Sequence, residues 1–158
     1  MLYTTFTTPL GTVFVATDGT CITDMRFKGQ RYFEAVPKGW KKGDHKLFPK
    51  AKKQVLEYFA GRRKKFDLPL APVGTEFQKG VWGIVQKIPY GELATYADVA
   101  RKTGNKKAVR AVGTAIGRNP LCVVVPCHRV VSSSGTLAGY AGGLKRKQHM
   151  LALEGSVQ

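Results

Sequence analysis

Pro69 and Pro72 lie between two stretches whose apolar residues recur with different periods, and this break constrains the fold more than any other feature. Proline fixes φ and lacks a backbone donor, so residues 66–73 read as an extended linker. Before it, residues 2–7, 12–17 and 22–27 are rich in Thr, Val and aromatics, with Pro9-Leu10-Gly11 and Asp18-Gly19 between them. That pattern predicts an antiparallel meander. Phe48, Val55, Tyr58 and Phe59 then predict one helix ending at Gly61. After the linker, Thr75 with Gln78 and Thr95 with Asp98 read as capping boxes. Phe77, Val81, Ile84, Val85 and Ile88 share a face of the first helix there. Helices over residues 96–102 and 106–118, parted by Gly104, suggest a helix-turn-helix, and residues 144–153 a last helix. The expected class is α+β: a strand-rich N-terminal domain (1–72), antiparallel sheet plus helix, and a mainly helical C-terminal domain (73–158). The second domain includes a short sheet that carries Cys127.

With 26 Lys and Arg against 10 Asp and Glu, the 158 residues carry a formal charge of +16. Residues 1–70 hold 14 basic and 6 acidic side chains and residues 71–158 hold 12 and 4, so the excess is spread over the whole surface. Such a surface suits a polyanion, above all nucleic acid, although a generally basic protein has the same composition. The helix over 106–118 is more specific. Drawn at 100° per residue, Val109, Val112 and Ile116 form a buried stripe, while Lys107, Arg110, Ala111, Thr114 and Arg118 share the other face. Small residues allow close approach to a groove and cations meet phosphates; a solvated basic face is the alternative. The longest apolar run, residues 121–125, is far short of a membrane span, and no secretion signal opens the chain. The expected location is therefore the cytoplasm, with no membrane partner.

Three cysteines, Cys21, Cys122 and Cys127, cannot close a disulfide framework. Residues 121–125 read as a short buried strand that Pro126 halts, which places Cys127 at a strand end beside a pocket. His128 and Arg129 follow, and imidazole with nearby cations favours the nucleophilic thiolate. On an extended chain, however, His128 faces away from its neighbour, and a buried structural cysteine is the plainer reading. Cys122 reads as packing, and His45 and His149 as surface residues. A zinc site from Cys122, Cys127, His128 and His149 matches no common spacing, so no metal is expected. Glu154, at the C-terminal end of a helix, opposes the macrodipole unless a cation or imidazole compensates it.

Taken together, these residues resemble the O6-alkylguanine-DNA alkyltransferase family. The resemblance rests on Pro126-Cys127-His128-Arg129-Val130, on Arg110-Ala111-Val112-Gly113 and Asn119-Pro120, on Pro89-Tyr90-Gly91-Glu92 with Thr95-Tyr96, and on Gly139-Tyr140-Ala141-Gly142-Gly143-Leu144 with Glu154-Gly155. It spans residues 77–155, with a looser match in Thr8-Pro9-Leu10-Gly11 and Tyr58-Phe59-Ala60-Gly61. It implies DNA repair by direct reversal. Cys127 takes the alkyl group from O6-alkylguanine, and from O4-alkylthymine, in double-stranded DNA and keeps it, so one molecule repairs one lesion without a cofactor. By the same resemblance, Glu154 and His128 with a bound water help Cys127 lose its proton, and Tyr96 gives a hydrogen to the departing base. Arg110 replaces the flipped nucleotide from a helix in the minor groove, with Thr95, Lys107, Ala111, Gly113, Thr114 and Arg118 on the DNA face. Asn119 braces the turn to the cysteine strand. Backbone groups of Cys127 and Val130 read the guanine edge, and Tyr140 and Ala141 close the pocket. Ala141 replaces a serine of some members, and Cys122 stands where others have proline. A monomer in solution is expected, and the basic surface is compatible with clustering along DNA. The rival readings are a non-catalytic sensor of alkylated DNA with the same fold and a Cys-His hydrolase.

Overall fold

The computed structural model describes residues 1–134 and 140–156. Strands β1 (Leu2–Thr8), β2 (Gly11–Thr17) and β3 (Ile22–Phe27) form the antiparallel meander. The two-residue strand β4 (Lys41–Lys42) adds parallel to β1, giving the order β3-β2-β1-β4. Asp18 Oδ1 accepts from the N–H groups of Thr20 and Cys21, and so turns β2 into β3. Phe6, Val13, Val15, Met25 and Phe27 are buried, as are Ala51, Val55 and Tyr58 of α1 (Leu47–Phe59).

The outer edge of β3 joins the two halves of the chain. Ile22 N–H donates to Pro69 O at 2.7 Å and Ala71 N–H to Ile22 O, which fixes the linker. Further along, Met25 N–H donates to Pro120 O at 2.8 Å and Cys122 N–H to Met25 O at 2.9 Å, which fixes the segment leading to Cys127. An open sheet edge is thereby used to hold chain that carries function. Both capping boxes are present, at Thr75 for α2 (Glu76–Gln86) and at Thr95 for α3 (Tyr96–Lys102). Trp82 Nε1 donates to Ala115 O at 2.8 Å and ties α2 to α4 (Val109–Gly117). Ala94–Thr95 (β5) and Val130–Val131 (β6) make a two-stranded parallel sheet, and α5 is Leu144–Leu153. One buried apolar cluster runs from Phe6 to Met150 through both halves. Among the described residues, no helix is long and apolar enough to cross a membrane.

Three local expectations need correction. Residues 121–125 are not a strand: Leu121 makes one bridge to Met25, and the chain then turns, with Val125 N–H on Leu121 O and Val123 at φ 72°. The Asn119 side chain explains the turn, because its Oδ1 accepts from Leu121 N and its Nδ2 donates to Val125 O at 3.0 Å. Helix α4 starts at Val109, later than expected, because residues 105–108 form a turn in which Asn105 Oδ1 accepts from Lys107 N–H. Lys107 therefore precedes the helix. Val109 and Phe77, expected inside, stand 38% and 42% exposed at the first turns of their helices, while Val112, Ala115 and Ile116 fill the buried stripe of α4.

Candidate active site

Cys127–Arg129 form a single turn of 3-10 helix between Pro126 and β6, in place of the extended chain expected there. The turn directs His128 and Arg129 inward to one acceptor, Glu154, just past α5. His128 Nε2 lies 2.7 Å from Glu154 Oε2, Arg129 Nε donates to Oε1 at 2.7 Å, and Arg129 Nη2 donates to Oε2 at 3.1 Å. Tyr58, from α1 of the first half, donates its hydroxyl hydrogen to the same Oε2 at 2.5 Å. The Glu154 side chain is fully buried, and its compensation by an imidazole and a cation is as its helix-end position demands.

These contacts set the protonation of the group. Burial alone would raise the Glu154 carboxyl, but the hydrogen bonds from His128, Arg129 and Tyr58 hold it at about 2, a permanent anion. Burial lowers the His128 imidazole, against the pull of Glu154, so the ring is neutral near pH 7. A neutral imidazole facing a carboxylate donates through Nε2, which leaves the Nδ1 lone pair outward. Nδ1 is buried and has no hydrogen-bond partner among the described residues. Burial and the Glu154 charge push the Tyr58 phenol well above its ordinary value, so it stays a donor.

The Cys127 thiol differs from the expectation of a thiolate favoured by its neighbours. It is buried, and burial followed by the Cys122 thiol pushes it up, while a hydrogen bond with Asn119 and the charge of Lys147 pull it back only in part. His128 and Arg129 do not offset this, because both are spent on Glu154. Lys147 is itself buried, lowered to about 8 by burial, and its Nζ donates to Val130 O at 2.7 Å. The thiol at rest is therefore protonated and sheltered.

A cavity of about 560 Å³ opens in front of this group. Tyr96, Arg110, Gly113, Thr114, Tyr140 and Ala141 line it, with Arg31 and Tyr32 from the first half. Cys127 is not part of the lining but lies close to Tyr96 and Tyr140, whose phenols burial raises first and a Cys127 thiolate would raise further. The Tyr140 hydroxyl is buried without a hydrogen-bond partner among the described residues. The ring position requires glycine at 142, because a Cβ there would meet the Tyr140 ring at 2.5 Å. Gly139, expected in the same loop, lies outside the described residues. Another cavity, about 580 Å³, is lined by Phe66, Leu68, Leu70, Tyr90 and Arg129, among others, and reaches the Glu154 group only through Arg129.

The remaining candidates divide clearly. Arg110, Ala111, Thr114 and Arg118 are exposed along α4, and Lys107 is exposed in the turn before it. Thr95 caps α3, and Asn119 braces the turn before Cys127, out of the cavity. The Val130 N–H donates to Cys127 O and the Val130 carbonyl already accepts from Lys147, so only second lone pairs of these carbonyls are left to read a base. Sequence reasoning missed Tyr58, Lys147 and the carboxylate contact of Arg129. For Tyr58 the signal was its place in the Tyr58-Phe59-Ala60-Gly61 match; for Lys147, inside Lys145-Arg146-Lys147, there was none.

Residues 76–156 match the model of the 6-O-methylguanine DNA methyltransferase DNA binding domain, and residues 1–72 that of the ribonuclease-like domain of the same family. The chain belongs to the 6-O-methylguanine DNA methyltransferase family. Similar to it are the methylated-DNA–protein-cysteine methyltransferase of Methanosarcina acetivorans, 47% identical over 99% of each chain, and the constitutive enzyme of that name from Bacillus subtilis, 46% identical over 89% of this chain and 86% of that one. A crystal structure of Mycobacterium tuberculosis OGT in complex with DNA superposes with a TM-score of 0.91 at 40% identity, covering 99% of this chain and 94% of that one. Resemblance within this family thus extends over both halves of the chain.

Proposed function

We propose that the protein repairs alkylated DNA by moving the alkyl group from O6 of guanine, or O4 of thymine, to the Cys127 sulfur, once per molecule. One observation carries this reading: in the residue that follows Cys127, a buried imidazole is held through Nε2 by a permanent carboxylate, with Nδ1 left as the only ring atom able to take a proton. The thiol proton passes to Nδ1 through a bridging water, and Glu154 stabilises the resulting imidazolium without itself being protonated. The sulfur then forms a bond to the alkyl carbon as the bond from carbon to O6 breaks. The base leaves as its conjugate acid by taking the Tyr96 hydroxyl hydrogen, which the imidazolium restores. The thioether has no leaving group that water can displace, so the sulfur remains alkylated.

The target atom is stacked inside a duplex, so the nucleotide has to be extruded, at a cost of a few kcal/mol. Arg110, exposed on α4 at the cavity mouth, takes its place in the stack, and the base meets the sulfur when the Tyr96 and Tyr140 rings part. The +16 charge supplies the duplex affinity. Incubation with a duplex carrying O6-methylguanine, followed by mass spectrometry, should show one methyl per protein, located on Cys127 and lost in Cys127→Ala. Repeated turnover would favour the hydrolase, and tight binding without mass gain the sensor.

A further inference from the structure

The first half of the chain meets the cavity at one corner, and the backbone there is unusual. Gln30 is buried, its Oε1 accepting from Phe27 N–H at 2.7 Å and from the Cys122 thiol at 3.3 Å. Arg31 N–H donates to Ala141 O at 3.0 Å, and Phe33 packs edge-on against Phe14. Tyr32, between these anchored neighbours, has φ 66°, a left-handed conformation that costs a bulky side chain energy. Burial does not repay the cost, because the ring is 43% exposed and stands at the cavity rim. Strain kept without packing gain is found where a side chain serves a ligand.

The charges around the ring show what kind of ligand. The guanidinium carbons of Arg118, which follows α4, and of Arg31 lie 4.1 Å and 4.9 Å from the Tyr32 ring centroid. Among the described residues neither arginine pairs with a carboxylate. Two cations held over one aromatic ring repel each other, and the negative face of the ring offsets this only in part. An anion between them completes the balance, and a phosphodiester fits because guanidinium groups bind its oxygens in pairs. We propose that the Arg31–Tyr32 corner is part of the duplex-docking surface. Arg31 and Arg118 take a backbone phosphate beside the extruded nucleotide, and the strained Tyr32 ring holds them at that spacing. This rests on the reading that the protein docks on duplex DNA through α4, and it adds the first half of the chain to that interface.

The test compares Arg31→Gln, Arg31→Lys, Tyr32→Ala and Tyr32→Gly with the wild type. It measures affinity for an O6-methylguanine duplex across a salt series, the thermal midpoint, and methyl transfer at saturating duplex. Arg31→Gln should weaken binding about fivefold near ~0.1 M salt and lower the slope of log affinity against log salt by about one, whereas Arg31→Lys keeps the slope. Tyr32→Gly should bind more weakly by a similar factor while its thermal midpoint holds or rises, because glycine accepts the left-handed backbone. Wild-type affinity and slope in Arg31→Gln and Tyr32→Gly would overturn the proposal, as would weaker binding that tracks loss of thermal stability in both. A wild type that binds with the expected slope but transfers no methyl refutes the repair reading and leaves this one standing. A wild type with no salt-dependent duplex affinity refutes both.

Discussion

Around Glu154 each charged group is buried and paired, whereas Arg110 on α4 and Arg118 just after it stand in solvent with no acidic partner among the described residues. Both regions use cations at a helix end, Arg129 at α5 and Arg118 at α4, yet the surroundings reverse their value. In the dry cluster each charge depends on the others, because an unpaired ion there is costly. On the wet face a cation contributes little to folding and keeps its charge for a polyanion. The protein thus separates preorganised chemistry from adaptable docking, and the cavity lined by Tyr96 and Arg110 is where the two meet.

The contrast can be broken most directly at Glu154. Glu154→Ala leaves Arg129 and the unpaired imidazole buried, and should cost roughly 3–5 kcal/mol in denaturant unfolding. A loss below about 1 kcal/mol would mean that water reaches the cluster. Acid tests the same group in the intact protein. The Glu154 carboxyl is depressed to about 2 from 4.5, so its contribution, on the order of 3 kcal/mol, is present above pH 4.5 and fades as pH falls towards 2. His128 is also depressed below 6.5, so its loss begins earlier, as pH falls below 6.5. Stability measured from pH 7 downward should fall in both ranges, and Glu154→Ala should flatten the lower one. Tyr58→Phe removes one donor from the carboxylate and should cost about 1.5–3 kcal/mol, while slowing methyl transfer if the first half helps hold the imidazole. Arg110→Ala sharpens the comparison from the other side. It should change stability by less than about 0.5 kcal/mol yet weaken duplex binding and repair. A large stability loss there would place Arg110 with the buried group.

What the sequence revealed followed from how local the cause was. The meander, α1 and both capping boxes are encoded within a few residues, and they appear where alternation and Thr-x-x-Gln or Thr-x-x-Asp spacing put them. Residues 121–125 misled because an apolar valine run has strand propensity, while the Asn119 amide, bonded six positions ahead, turns the backbone. The site was legible in part. Cys127, His128 and Glu154 stood out by chemistry and position, but Tyr58 donates to a carboxylate 96 residues away and Lys147 reaches Val130 from inside a basic run. Such contacts are made by tertiary packing alone and leave no periodic trace. The low reactivity of the resting thiol was illegible for the same reason, since it arises from burial on all sides.

The position of Glu154 has a consequence for synthesis. A ribosome adds it 26 residues after His128 and 96 after Tyr58, so a growing chain carries the sulfur long before the acid that equips its neighbour. Until α5 docks, the imidazole lacks the carboxylate that holds it, so the buried group around His128 is completed only when the last helix has folded.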